Sequence, residues 1–260
     1  MKPRKRVWAA SLVLAAVPIL VRADPSAPAS PSTTPPPAMH PPAGQGDGTP
    51  IGCPLHEQGV NPSSLRPFAE TEKYIQFLER PDRARWQKPD EVVRALALRG
   101  DETVEDLGAG SGYFTFRFAR ALPRGEVIAA DIDPEMIRHI HHKVLAEKIS
   151  NVSVRVARED DPAIDPGADV VFICDVLHHV SGREAWLRKA YAEMKPGARL
   201  VLIEFREGKL PEGPPESVKL PRAKLVSLLE GAGFTLRSDQ PALLPYQTFL
   251  TFTKPAVTGR

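Results

Sequence analysis

The hydrophobic and polar positions along the chain switch repeatedly between two periods. Short apolar runs begin at Thr103 ("TVEDL"), Glu126 ("EVIAAD"), Val152 ("VSVRVA"), Ala168 ("ADVVFIC") and Arg199 ("RLVLIEF"). They are the length of strands and too short for helices. Between them, Ser111 to Leu122, Pro134 to Lys148, Gly182 to Met194 and Pro221 to Ala232 carry apolar residues at helical spacing. Strands alternating with helices predict an α/β fold, a mostly parallel sheet covered on both faces. The two last runs, "FTLRSD" and "YQTFLTFT", are separated by a short turn around Pro241 and Pro245. That is too little chain for a crossover helix, so these strands pair antiparallel or lie apart. No internal repeat is visible.

Upstream, "LRPFAETEKYIQFLERPDRARWQKPDEVVRALAL" has helical character, with Tyr74, Phe77 and Leu78 on one stripe and Ile75 beside it. A second helix is predicted to start at Pro89, a favoured first-turn residue, with Asp90 and Glu91 complementing its dipole and Val92, Val93, Leu96 and Ala97 apolar. Residues 61–88 therefore read as a helical cap, 89–254 as the main domain and 255–260 as a tail.

The first sixty residues have a different pattern. "MKPRKR" is a basic start, Val7 to Val21 an apolar run broken by Ser11 and Pro18, and "VRA" a small-residue cleavage site, which predicts a signal peptide over 1–23 cut before Asp24. The run is shorter than the ~20 residues of a membrane span, so no stable insertion is expected after cleavage. From Asp24 to about residue 60 the chain is rich in Pro, Ser, Thr and Gly and has little to bury, which predicts an extended tether.

Composition changes little in this picture. A hydrophobic fraction of 42% and a charged fraction of 25% suit one globular domain plus unfolded chain. The net charge of +2, with basic and acidic residues interspersed, offers no concentrated basic face for nucleic acid. Of the two cysteines, Cys53 lies on the tether and Cys174 in a strand, a pairing that disulfide geometry disfavours.

The chemistry is concentrated in "VEDLGAGSGYF", Val104 to Phe114, where Gly108, Gly110 and Gly112 sit at the first strand–helix turn. Bare backbone there lets a ligand lie against amides at a helix N-terminus. A dinucleotide site wants a third glycine at position 113, which is Tyr113. The second strand ends in Asp131, placed to accept from ribose hydroxyls, while Asp133 before Pro134 reads as a helix cap.

Together with "VIAADIDPEMI", "ADVVFICDVLHHV" and "MKPGARLVLIEF", this motif resembles the class I S-adenosylmethionine-dependent methyltransferases, in order and spacing, over about Pro89 to Thr253. The nearest groups by resemblance methylate small molecules, as in the ubiquinone-biosynthesis-like and arsenite-methyltransferase-like enzymes. The resemblance implies a Rossmann-like doubly wound sheet of seven strands, the last antiparallel, and S-adenosylmethionine as cofactor. It also implies Asp106 near the donor's amino group, Gly108, Ala109, Gly110 and Gly112 as its cradle, and Asp131 with Ile132 at the ribose. Either Glu159 or Asp160 serves the adenine, because the family's acid position falls on Ala157 here.

At the reacting end, the fourth strand runs into "CDVLHHV", putting Asp175, His178 and His179 near the donated methyl. A histidine there titrates near neutrality and serves as a base; the competing role for the pair is capping or packing. His139, His141 and His142 suggest a metal, but they lack further ligands, and no metal is expected. Holding a metalloid takes thiols, and two cysteines placed so far apart speak against arsenite as acceptor. "REGKLPEGPPESVKLP" after the fifth strand, with the helix around Tyr74 to Leu78, is the expected lid of the acceptor pocket, to which Tyr246 and Gln247 are candidates.

Two function classes remain at this point: a small-molecule methyltransferase, and an exported nucleoside-binding protein of the same fold without catalysis. Export itself sits uneasily with a donor made in the cytosol, and an internal start at Met39 would keep the folded region there. The expected outcome of cell fractionation with N-terminal sequencing is a chain beginning at Asp24 in the exported fraction; one beginning at Met39 in the cytosol overturns the export expectation.

Overall fold

The structure is a computed structural model and describes residues 68–256, with side chains from residue 70. The expected signal segment, the tether, Met39 and Cys53 lie outside the described residues. Three helices come first, α1 (Phe68–Leu78), α2 (Arg83–Gln87) and α3 (Pro89–Ala95), followed by β1 (Thr103–Leu107) and α4 (Thr115–Ala121). Next come β2 (Glu126–Asp131), α5 (Pro134–Ala146), β3 (Val152–Val156), β4 (Val170–Cys174), α6 (Arg183–Glu193) and β5 (Arg199–Phe205). A 3-10 turn at Glu216–Val218, α7 (Arg222–Ala232), β6 (Thr235–Asp239) and β7 (Gln247–Thr253) complete it.

The seven strands form one sheet in the order β3-β2-β1-β4-β5-β7-β6. The pairs from β3 to β5 are parallel, and β7 runs antiparallel to both β5 and β6. This is the doubly wound, Rossmann-like arrangement with an antiparallel last strand. The chain steps outward from β1 through β2 to β3, then returns to lay β4 and β5 on the other side. The reversal leaves a crevice beyond the carboxyl ends of β1 and β4, where ligands of such sheets bind.

Both faces are covered, which explains why β2, β4 and β5 hold continuous apolar runs rather than alternations. In β4, Val170 and Phe172 face a layer with Val92, Leu96, Phe114 and Phe118, from the α3 and α4 region. Val171 and Ile173 face the opposite layer with Trp186, Leu187, Leu225 and Leu229, from α6 and α7. Phe172 is fully buried, its ring 4.9 Å from those of Phe114 and Phe118. Burying a side chain of this size contributes about 1.5–3 kcal/mol.

The boundaries differ from the sequence pattern where backbone chirality intervenes. The helix expected from Ser111 starts at Thr115, because Gly108, Gly110 and Gly112 all take positive φ and hold a tight turn. The helix expected to reach Lys148 ends at Ala146; Lys148 itself is left-handed at φ 52°. The long upstream helix is broken near Pro81, since a proline disfavours helical geometry in the residue before it. Ala97, expected on the apolar face of its helix, lies beyond the helix end, exposed and at φ 47°.

Candidate active site

A groove of about 820 Å³ opens over the carboxyl ends of β1, β2 and β4. Its floor begins with the glycine turn. At Gly108, φ is +83° and a Cβ would stand 2.2 Å from Val176 Cγ2, so the strand end must be bare for the β4 loop to pack on it. Gly112 is bare for a different reason: a Cβ there would meet the Phe116 ring at 2.6 Å. Gly108, Ala109, Gly110 and Ser111 line the groove, whereas Gly112 serves helix packing.

Asp131 closes the β2 end. Its Oδ2 accepts from the Gly110 amide at 2.8 Å and its Oδ1 from the Asp133 amide at 2.8 Å. One carboxylate thereby ties the β1 and β2 turns together. An ionised carboxylate offers about four acceptor positions, so ribose hydroxyls can still be received. Asp133 is the α5 cap, its Oδ1 accepting from the Glu135 amide at 3.0 Å.

Asp106 lies deeper. It is buried, and its Oδ2 accepts from the Thr115 hydroxyl at 2.6 Å. Burial pushes its carboxyl up to about 7, against the Thr115 hydrogen bond that favours the ion. It does not line the groove, and the Thr115 bond to one of its oxygens ties β1 to α4.

The β4 end carries a second polar network. Asp175 is left-handed at φ 59° and is held there by Gln247, whose amide donates to both carboxylate oxygens at 2.7 Å. Gln87 adds a bond of 3.3 Å to Asp175 Oδ2 and one of 3.0 Å to Cys174 Sγ. Burial and then the Glu204 charge push the Asp175 carboxyl up to about 6. Burial also raises the Cys174 thiol, which stays protonated. Beyond this turn, His178 Nδ1 lies 2.8 Å from Glu204 Oε2, and its amide donates to Glu204 Oε1 at 3.2 Å. Both residues are buried. Burial lowers the His178 pKa, but the hydrogen bond and charge of Glu204 outweigh it, and the net shift is upward. The His179 ring lies tilted against it, centroids 4.0 Å apart, and the residue is exposed, its pKa lowered by partial burial and then by His178.

The front of the groove is made by α1 and α2 on one side and the β5–α7 loop on the other. Tyr74, Phe77 and Leu78 line it from α1, Trp86 from α2, and Pro211 to Pro214 from the loop. Arg80 and Glu212 form a salt bridge between these two sides. Gly213 permits the loop to sit down on Phe205, where a Cβ would be 2.5 Å from Cδ1.

A family described as a methyltransferase domain matches residues 106–200. The ubiquinone/menaquinone biosynthesis C-methyltransferase UbiE of Pasteurella multocida (strain Pm70) is 36% identical over 122 residues, 44% of each chain. The same enzyme of Yersinia pestis (strain Pestoides F) is 37% identical over 117 residues, 44% of this chain and 47% of that one. The match thus spans less than half the length of these curated relatives. Among solved structures, a SAM-dependent methyltransferase from Aquifex aeolicus superposes with TM-score 0.65 at 25% identity, covering 71% of this chain and 98% of that one. Over this domain the chain is similar to the class I S-adenosylmethionine-dependent methyltransferases, whose fold it shares. S-adenosylmethionine is the cofactor of this family, and the groove fits it: a bare turn at the first strand, an acid with acceptor capacity at the second, and Ile132 exposed beside it. Human N-acetylserotonin methyltransferase, solved in complex with SAM, shares the fold at TM-score 0.57 and 21% identity, over 78% of this chain and 62% of that one.

Within this methyltransferase groove, the structure gathers most of the residues singled out in the sequence. Gly108, Ala109, Gly110, Asp131, Ile132, Glu159, Asp175, His178 and His179 line it. Asp160 does not: its carboxylate faces Arg158 at 3.4 Å, so of the two acids expected there only Glu159 lines the groove. Gln247, expected in the acceptor pocket, is instead buried beneath Asp175. Tyr246 packs 6.4 Å from Trp86. Glu204, Gln87 and Arg83 carry site contacts that the pattern did not flag, since each is brought in by strand or helix pairing far from the motifs. Asp131→Ala should weaken S-adenosylhomocysteine binding by about tenfold or more, the loss of hydrogen bonds to a charged group worth ~1.5–3 kcal/mol. Asp133→Ala should change it little, and equal losses in calorimetry would contradict this assignment.

Proposed function

We propose that this protein transfers a methyl group from S-adenosylmethionine to a small molecule, with His178 accepting the proton that the acceptor's nucleophilic atom gives up. The observation that carries the proposal is the buried His178–Glu204 pair on the same groove as the glycine turn and Asp131. When bound, S-adenosylmethionine supplies an electrophilic methyl on a positively charged sulfur, and placing an acceptor in line with it accounts for much of such a rate enhancement.

The chain's own residues do the rest. Glu204 accepts from Nδ1–H of His178, so the neutral ring presents Nε2 as an acceptor. Asp175, fixed by Gln247 and Gln87, sets the turn from which His178 departs, and the His179 ring lies tilted against that of His178. Trp86, Phe77, Phe205 and Pro211 give the acceptor end an apolar wall that excludes water. A groove of about 820 Å³ suits a small acceptor, as small-molecule sites run ~300–1,000 Å³. The curated relatives, named as C-methyltransferases of quinone biosynthesis, support the same acceptor class.

Calorimetry with S-adenosylmethionine, S-adenosylhomocysteine and NAD should show binding of the first two; binding of NAD alone contradicts the proposal. Transfer of labelled methyl across a panel of small acceptors should then give a product, and nucleoside binding without any transfer would favour a binding protein. With an acceptor in hand, kcat should fall as pH drops, since a protonated His178 cannot take a proton. Because Glu204 raises its pKa, the midpoint should lie above the ordinary value of about 6.5. Glu204→Gln should move that midpoint down, and His178→Gln should lower kcat by roughly 10²–10⁴ with donor affinity kept. A flat profile unaffected by Glu204→Gln contradicts the role of His178.

A further inference from the structure

Three arginines line the groove, and their partners differ. Arg80 is paired with Glu212 and Asp82, and Arg158 with Asp160. Arg83, from the first residue of α2, forms no salt bridge among the described residues. Its Nε donates to Gln87 Oε1 at 2.6 Å and its Nη1 to the Leu78 carbonyl at 2.6 Å, while the guanidinium lies 4.0 Å over the Tyr113 ring. A guanidinium has five N–H donors in a rigid fork, so the two bonds fix its plane and leave the rest of the fork for an anion. The Asp106 and Asp175 carboxylates feel its charge only from beyond salt-bridge distance, and a guanidinium oriented on both sides with no carboxylate in contact fits a carboxylate ligand bound by two parallel bonds.

The sheet order says which carboxylate. Along the groove floor the strands run β2, β1, β4. Asp131 marks the β2 end, where the ribose goes, so the donor's amino-acid part extends over β1 toward β4. Arg83 stands over that stretch: its ring partner Tyr113 belongs to the turn after β1, and Gln87, which orients it, also touches Cys174 and Asp175 at the end of β4. We infer that Arg83 binds the α-carboxylate of S-adenosylmethionine and so sets the position of the methyl-bearing sulfur. This inference rests on the donor assigned above and extends it to the one anionic group that the glycine turn and Asp131 leave without a partner.

The test compares two nucleosides on the full chain by calorimetry. S-adenosylhomocysteine carries the amino-acid group; 5′-methylthioadenosine has the same adenosine and a sulfur but no carboxylate. The expected result is tighter binding of S-adenosylhomocysteine by the unsubstituted protein, and a loss of at least tenfold in Arg83→Gln. Binding of 5′-methylthioadenosine should change less than twofold in the same variant, which also reports that the groove is folded. Arg83→Lys, keeping the charge without the fork, should fall between. Equal losses for both nucleosides in both variants would assign Arg83 to holding α2 and overturn the inference. Unchanged S-adenosylhomocysteine binding with a raised KM for an anionic acceptor would move Arg83 to the acceptor and overturn it as well. If 5′-methylthioadenosine binds the unsubstituted protein as tightly as S-adenosylhomocysteine, the inference fails while the donor assignment stands. If neither binds, both fail.

Discussion

The Asp131 carboxylate is the constraint on which the rest of the groove depends. It sits where the chain leaves β2 and takes one backbone amide from the β1 turn and one from its own. Two neighbouring crossover turns are thereby held at one spacing, and the glycines can keep left-handed conformations that would otherwise cost order. The bond to Gly110 is charge-assisted and half-buried, in the class that contributes about 1.5–3 kcal/mol. A change in Asp131 therefore loosens the turn that shapes the groove and, on the proposed placement of the donor, removes its ribose contact as well.

The β4 end depends on a different device. Asp175 adopts a left-handed backbone uncommon outside glycine, at a position where the turn must clear Gly108 and re-aim the chain toward His178. Two glutamines from opposite ends of the sequence, Gln87 and Gln247, hold the strained residue. Strain kept in place by several partners is typical of functional turns. Its outcome is that His178 reaches Glu204 on the neighbouring strand, and the proposed base and a carboxylate that orients it come to lie within one buried pair.

Much of this was legible in the sequence because it is local. Strand-length runs, a cap at Asp133 and three spaced glycines report on their own neighbourhood, and the mostly parallel sheet follows from them, while its antiparallel end was implied by the family resemblance. Contacts between distant segments were not legible. Glu204 reads as the polar end of a strand until β4 and β5 pair, and Gln87 reads as surface until α2 folds over β4. Asp106 shows the limit from the other side: its motif position suggests a ligand contact, and only packing reveals that it is buried with Thr115 on one of its oxygens. Tyr74 and Phe77, on the helix expected as a lid, are 43% and 57% exposed and line the groove.

The account stands or falls on where the donor lies. The most direct measurement is a crystal structure of the protein with S-adenosylhomocysteine. The ribose hydroxyls should sit within hydrogen-bond distance of Asp131, with the sulfur over the crevice between β1 and β4, facing His178. A nucleoside bound elsewhere, or bound in this groove with its ribose away from Asp131, would contradict it.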